Sequence, residues 1–171
     1  MPIEIRSAQP SDAHDIAVVH VAAWRDAYRG LIPADQIAAR TVERRWRQWT
    51  TMLTDPDRFT LVACDDATLK GFARARSTQN ELFQSYLEAL YVMPDAWRTG
   101  IGRKLLCAIG ERLRAVGINT MALRALRRGF ARRFYEKLGA RLVPEGIPRD
   151  AGHFDDVVYA FDDLGALVEK H

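Results

Sequence analysis

The chain has 171 residues, with 48% hydrophobic and 27% charged side chains, which fits one globular domain over 1–171 with a core of its own and excludes a disordered polymer. Lysine and arginine number 25 against 22 acids, a formal charge of +3, too mild to argue for nucleic acid. No apolar run approaches the roughly 20 residues that span a bilayer, the N-terminus lacks a signal core, and the two cysteines, Cys64 and Cys107, match no metal or redox spacing, so the expectation is a reduced, cytoplasmic, membrane-free protein.

Ile3–Arg6 alternates and predicts a short strand. Pro10-Ser11-Asp12 opens a helix, capped by Ser11 or Asp12, with a stripe of Ile16, Val19, Ala23 and Ala27. Gly30 and Pro33 interrupt it, and a second helix is expected over 34–52. Strands over 59–63 and 69–76 form a hairpin about Asp65-Asp66, and 86–92 is a further strand stopped by Pro94. Leu105, Leu106, Ile109, Leu113 and Val116 give a long helix one buried face, and Gly117 ends it. A strand over 119–123, a short helix marked by Phe130, Phe134 and Leu138, strands over 141–143 and 157–161, and a C-terminal helix capped by Asp162 or Asp163 complete the order. The pattern is α/β: a mixed sheet with helices on its faces.

The informative stretch is Leu90-Tyr91-Val92-Met93-Pro94-Asp95-Ala96-Trp97-Arg98-Thr99-Gly100-Ile101-Gly102-Arg103, a strand running through a glycine-bearing loop into a helix. The first helical N–H groups have no partner within the helix and the dipole there favours anions, so the arrangement suits a pyrophosphate. A Rossmann fingerprint would need a third glycine where Leu105 stands, and the Gly-Lys-Ser/Thr of a Walker loop is absent. A lone Gly-x-Gly would be no more than a tight turn.

This stretch resembles the acetyl-CoA motif of the GNAT superfamily, a Leu-x-Val-x-Pro strand end followed by Gln/Arg-x-x-Gly-x-Gly/Ala. Trp97 stands where the family has Gln or Arg, with Arg98 beside it; Gly100 and Gly102 match. About 30 residues on, Ala131-Arg132-Arg133-Phe134-Tyr135-Glu136-Lys137-Leu138-Gly139 resembles the family's Ala-x-x-Phe-Tyr-x-Lys-x-Gly segment. The segments 21–33 and 157–164 are similar to an uncharacterised bacterial branch. The resemblance implies a mostly antiparallel mixed sheet splayed at its fourth strand, and transfer of acetyl from acetyl-CoA to a primary amine on a small molecule or peptide, without a metal. The other readings are an acyl-CoA sensor without turnover and a protein acetyltransferase. A homodimer stays open.

By the same resemblance, Leu90, Tyr91 and Val92 line the pantetheine arm, with the Val92 N–H aimed at the thioester carbonyl. Trp97, Arg98, Thr99, Gly100, Ile101, Gly102 and Arg103 lie about the pyrophosphate, and Tyr135 is the general acid at the CoA sulfur. Arg128 occupies the place of an asparagine that holds the arm, and it can donate but not accept. The acceptor amine, with a pKa of about 10, must lose a proton before attack. Tyr86, Glu88 and Leu90 share one strand face on simple alternation, which offers Glu88 as base, with Tyr86 or solvent as the other routes. Trp24 and Tyr28, in a helical stripe with His20, are candidates for the acceptor wall, and the loop 144–156 for the opposite one. Arg124, Arg127, Arg128, Arg132 and Arg133 form a basic run: a solvated face, or a site for the CoA 3′-phosphate or an acidic substrate. No stacking aromatics interleave them, which disfavours nucleic acid.

Overall fold

The computed structural model describes residues 2–79, 82–144 and 155–169. Strands β1 (Glu4–Ser7), β2 (Arg58–Asp65), β3 (Thr68–Ser77), β4 (Ser85–Val92), β5 (Met121–Leu126), β6 (Arg141–Leu142) and β7 (Asp156–Phe161) form one sheet in the order β1-β2-β3-β4-β5-β7-β6. All neighbours are antiparallel except β4 and β5. A parallel pair needs a crossover, and α4 (Ile101–Ala115) supplies it. The other helices are α1 (Ala13–Ala27), α2 (Ala34–Ala38), α3 (Val42–Met52), α5 (Ala131–Lys137) and α6 (Leu164–Glu169).

The sheet is covered on both faces. On one, Leu105, Leu106, Ile109 and Leu113 of α4 and Leu164 and Leu167 of α6 pack on Leu61, Ala73, Leu87 and Leu123. On the other, Ile16 and Val19 of α1 and Trp49 of α3 pack on Val62 and Phe72. Gly71 sets the first spacing: a Cβ there would stand 3.0 Å from the Tyr91 carbonyl oxygen and 3.1 Å from a Leu105 methyl. Any larger residue would push α4 off β3.

Three sequence expectations shift and a fourth is resolved between its two alternatives. The helix expected over 34–52 is two, because the Thr41 hydroxyl accepts the Arg44 N–H at 3.3 Å and starts α3 afresh. Asp12 does not cap α1; it is held by Arg6 at 2.7 and 2.9 Å and accepts the Gln9 N–H at 2.7 Å, closing a 3₁₀ turn over Pro10–Asp12. Val116, expected inside, lies past the last turn of α4 and is 59% exposed. Of the two aspartates before α6, Asp163 makes the cap, accepting the Gly165 and Ala166 N–H groups at 2.8 and 3.3 Å, whereas Asp162 pairs with Arg141. Gly117 and Gly139 end their helices at φ +82° and +96°, as their positions require.

Candidate active site

The site begins where the sheet fails to close. β4 and β5 pair only over Ser85–Leu87 and Met121–Leu123, although both strands continue. β3 and β4 run Ala75↔Leu87 and then Arg74↔Ala89, so Glu88 is an extra residue, a β-bulge. A bulge bends its strand and adds twist, and β4 leaves β5 at that residue.

The bulge also overturns the simple alternation. Tyr86 and Glu88 do share the α1/α3 face: the Arg76 guanidinium lies 5.6 Å over the Tyr86 ring and pairs with Glu88 at 3.0 Å. Leu90 does not. It stands opposite Ala73 and packs into the α4 core, because one inserted residue exchanges the faces beyond it.

Met93 donates its N–H to the Lys70 carbonyl at 2.8 Å. Ladder bonds alternate along an antiparallel pair, so Tyr91 and Ala89 also turn their main chains toward β3, while Leu90 and Val92 turn theirs to the opening. The Val92 carbonyl is taken by the Trp97 indole N–H at 2.8 Å. The Val92 N–H is left facing the gap. Trp97 thus anchors the loop to the strand end, and its ring meets Phe130 at 5.0 Å.

Below the gap lies the N-terminus of α4. Its N-cap is Gly100 at φ +89°, with no side-chain cap bond and no acid in the first turn. The Thr99 hydroxyl turns back to the Ala96 carbonyl at 2.7 Å. The first helical bond runs from the Lys104 N–H to the Gly100 carbonyl at 3.0 Å, so the N–H groups of Ile101, Gly102 and Arg103 have no acceptor within the helix. Arg98, Thr99 and Arg103 are exposed around them, and a Cβ on Gly100 would enter open space. Uncapped N–H groups ringed by cations fit a phosphate. Gly102 faces Phe134 and Val92, where an added Cβ would lie 3.4 Å and 3.8 Å from their side chains.

Tyr135, on α5, is buried with the α4-side core, yet Tyr28 and Tyr86 from the opposite face act on its hydroxyl. Its hydroxyl is therefore near those of Tyr28 and Tyr86. Burial, then those two tyrosines, push its hydroxyl well above the usual tyrosine range, which holds its proton in place. Tyr28 and Tyr91 share a hydrogen bond, and burial raises both. Tyr91, expected with the cofactor, turns its ring to the α1/α3 face, against His20 at 4.6 Å. Trp24 stacks on Tyr28 at 4.5 Å and 13°, which sets the two rings of the helical stripe side by side next to Tyr91.

Glu88 is less free than its strand position suggested. Its carboxylate accepts from Arg74 Nε at 3.1 Å and Arg58 Nε at 3.3 Å and pairs with Arg76. Arg74 is 2% exposed and also donates to Thr60 Oγ1 and the Met52 carbonyl. Three guanidinium groups therefore hold the carboxylate in place and occupy its oxygens. The residue is exposed while its side chain is only 23% so, which places the exposure in the main chain at the bulge.

Part of the basic run is spent on structure. Arg127 pairs with Asp155 at 2.9 Å, and Arg132 donates to the Tyr159 hydroxyl and the Arg127 carbonyl. Arg128 and Arg133 remain exposed beside the loop before α5. Of the expected opposite wall, 145–154 lies outside the described residues; Asp156 approaches closely enough to act on Tyr28. Among the described residues no group of three acids, histidines or cysteines is placed to hold a metal, and no helix is long and apolar enough to cross a membrane.

Sequence reasoning passed over Arg40, Arg45 and the chemistry of His20. The Arg40 guanidinium lies 3.9 Å over the Trp24 ring. His20 Nδ1 accepts the Trp49 indole N–H at 3.1 Å, and burial followed by the charges of Arg45 and Arg40 lowers its pKa to about 3. The available signal was Arg45 itself, standing between Val42 and Trp49 on the inner stripe of an otherwise apolar helix face.

Residues 19–140 match the sequence model described as the Acetyltransferase (GNAT) family. An uncharacterized N-acetyltransferase, YuaI of Bacillus subtilis (strain 168), is 29% identical over 170 residues, covering 96% of each chain. Among solved structures, the PaiA N-acetyltransferase of Thermoplasma acidophilum, crystallised with coenzyme A, superposes with a TM-score of 0.76 at 23% identity over 94% of this chain and 98% of that one. An aminoglycoside 6′-acetyltransferase type Ii gives 0.68 at 20% identity, over 94% and 97%.

Proposed function

We propose that this chain, which belongs to the acetyltransferase (GNAT) family, transfers acetyl from acetyl-CoA to a primary amine within a ternary complex. That it is an N-acetyltransferase follows from the family and from its relative. The donor, the acceptor class and the residue roles are our reading. The observation that carries it is the convergence on one opening of the outward Val92 N–H, the buried Tyr135 hydroxyl and the uncapped start of α4.

In this reading the N–H groups of Ile101, Gly102 and Arg103 hold the pyrophosphate, with Arg98 and Thr99 at the rim and Trp97 fixing the loop. The main chain of Leu90 and Val92 lines the pantetheine arm, and Arg128 lies toward its far side. The Val92 N–H donates to the carbonyl oxygen as negative charge develops there. Tyr135 gives its proton to the departing sulfur. Trp24, Tyr28, Tyr86 and the ring of Tyr91 wall the acceptor. The acceptor's proton leaves through water at the wet end of the opening; Glu88 shapes the bulge and supplies negative charge nearby, rather than taking the proton directly.

Calorimetry tests the donor. One CoA per chain should bind in the micromolar range, about −8 kcal/mol. Absence of heat at millimolar CoA would remove the reading. The protected position of Tyr135 favours turnover over a cofactor sensor, and acetyl-CoA consumption with an amine panel, followed by thiol release, separates the two.

A further inference from the structure

The wall between α1 and the α2–α3 segment carries three guanidinium groups, those of Arg25, Arg40 and Arg45. Arg25 donates from Nη2 to the Arg40 carbonyl at 2.7 Å, which ties the turn before α3 to α1. Its Nε is buried with no hydrogen-bond partner among the described residues. Arg40 lies over Trp24, the ring that stacks on Tyr28. Arg45 is half-buried on the inner face of α3, one turn before the fully buried Trp49. None of the three has an ion pair among the described residues.

Unpaired arginines collected at a partly buried surface are unfavourable unless an anion joins them. Their location says which anion. Arg45 acts on the Tyr91 hydroxyl and Arg40 on that of Tyr28, the two tyrosines beside the opening where the amine must arrive. The acid that acts on Tyr28, Asp156, comes from β7 and not from α2 or α3. The cationic group therefore flanks the acceptor wall, on different elements from the phosphate cradle at α4.

Building on the acetyltransferase reading above, we infer that the acceptor is an amine that also bears an anionic group, a carboxylate or a phosphate, which Arg45 and Arg40 bind while Trp24 and Tyr28 cover its carbon skeleton. A planar guanidinium fork matches either oxyanion in two-point contact. Arg25, bonded to the Arg40 main chain, acts as a positioning residue for that segment.

The test pairs each anionic amine with a partner that lacks its negative charge. Free amino acids are compared with their amides, and phosphoethanolamine with ethanolamine, in a thiol-release assay; an alkyl diamine supplies the purely cationic case. N-acetylamino acids and N-acetylamino amides are titrated into the CoA complex by calorimetry, so that binding is read even where turnover is slow. The anionic member of a pair should have kcat/KM at least about tenfold higher, expressed mainly in KM, the size of one charge-assisted bond. Arg45→Met should collapse that ratio toward one, and Arg45→Lys should restore part of it. Preference for amino acids or for phosphoethanolamine identifies the oxyanion. Equal or better use of the amides or the diamine, or a ratio that survives Arg45→Met, would overturn the inference. Loss of CoA binding itself would instead strike the acetyltransferase reading, so the two failures are distinguishable.

Discussion

His20 should make this protein sensitive to mild acid. The imidazole is 9% exposed, stacked on Tyr91 at 4.6 Å and tilted against Phe72 at 5.4 Å, and Nδ1 already accepts the Trp49 N–H. The ring proton is therefore on Nε2. The charges that face it are Arg45 and Arg40, both positive, and with burial they bring its pKa to about 3. A histidine in the unfolded chain titrates near 6.5. Above that pH neither state takes the proton and His20 contributes no pH dependence. Below it the unfolded chain binds a proton that the native state refuses, so stability falls as pH drops, by up to about 1.4 kcal/mol per pH unit, through the window down to about 3. By pH 5 the loss is about 2 kcal/mol. Urea unfolding from pH 7.5 to 5, for the wild type and His20→Asn, measures it. Asparagine Oδ1 can still accept the Trp49 N–H but has no site to protonate. The variant should be less stable at pH 7.5 through lost ring packing, by about 1–3 kcal/mol, and its stability should fall less steeply with acid. Contributions from Asp12 and Asp162, whose pKa values Arg6 and Arg141 hold low, cancel in the comparison. Parallel lines for the two proteins would refute the argument.

Tyr135→Phe should lower turnover by about 10²–10⁴-fold while CoA affinity by calorimetry moves little; a change within twofold returns Tyr135 to packing alone. Glu88→Gln leaves Arg58, Arg74 and Arg76 without their shared anion. It should lower thermal stability by about 2 kcal/mol and reduce kcat by a factor that does not vary with pH; a loss that shrinks toward pH 10 would instead make Glu88 the base. Gly100→Ala places a Cβ in the open space before α4 at φ +89°, so it should weaken CoA binding as well as destabilise the fold by about 1 kcal/mol. Unchanged CoA affinity would show that the phosphates lie elsewhere. Trp49→Ala empties the centre of the α1/α3 core and frees His20 and Arg74 together, and urea unfolding should show a loss of about 3–5 kcal/mol.

The local features were legible because their causes are local. Gly100, Gly117 and Gly139 sit at positive φ where their neighbours end or begin helices. The hairpin of β2 and β3 about Asp65-Asp66, the stripe of α4 from Leu105 to Leu113, and the two motif segments read directly from order and spacing. The helical stripe also read directly: Trp24 and Tyr28 stack on each other as their spacing implies. What spacing could not supply was the register between strands. The bulge at Glu88 exists only because β3 pairs Ala75 with Leu87 and Arg74 with Ala89, and that offset sends Leu90 into the α4 core and opens β4 from β5. Nor could the sequence show that Arg58, Arg74 and Arg76, from two other strands, converge on the carboxylate of Glu88. His20, Arg40 and Arg45 owe their chemistry to the docking of α3 on α1: the same residues on isolated helices would be solvated, and their charge would be screened. Periodicity fixes which face of an element is apolar, but pKa and ion pairing depend on which faces meet, and that is decided only when the elements pack.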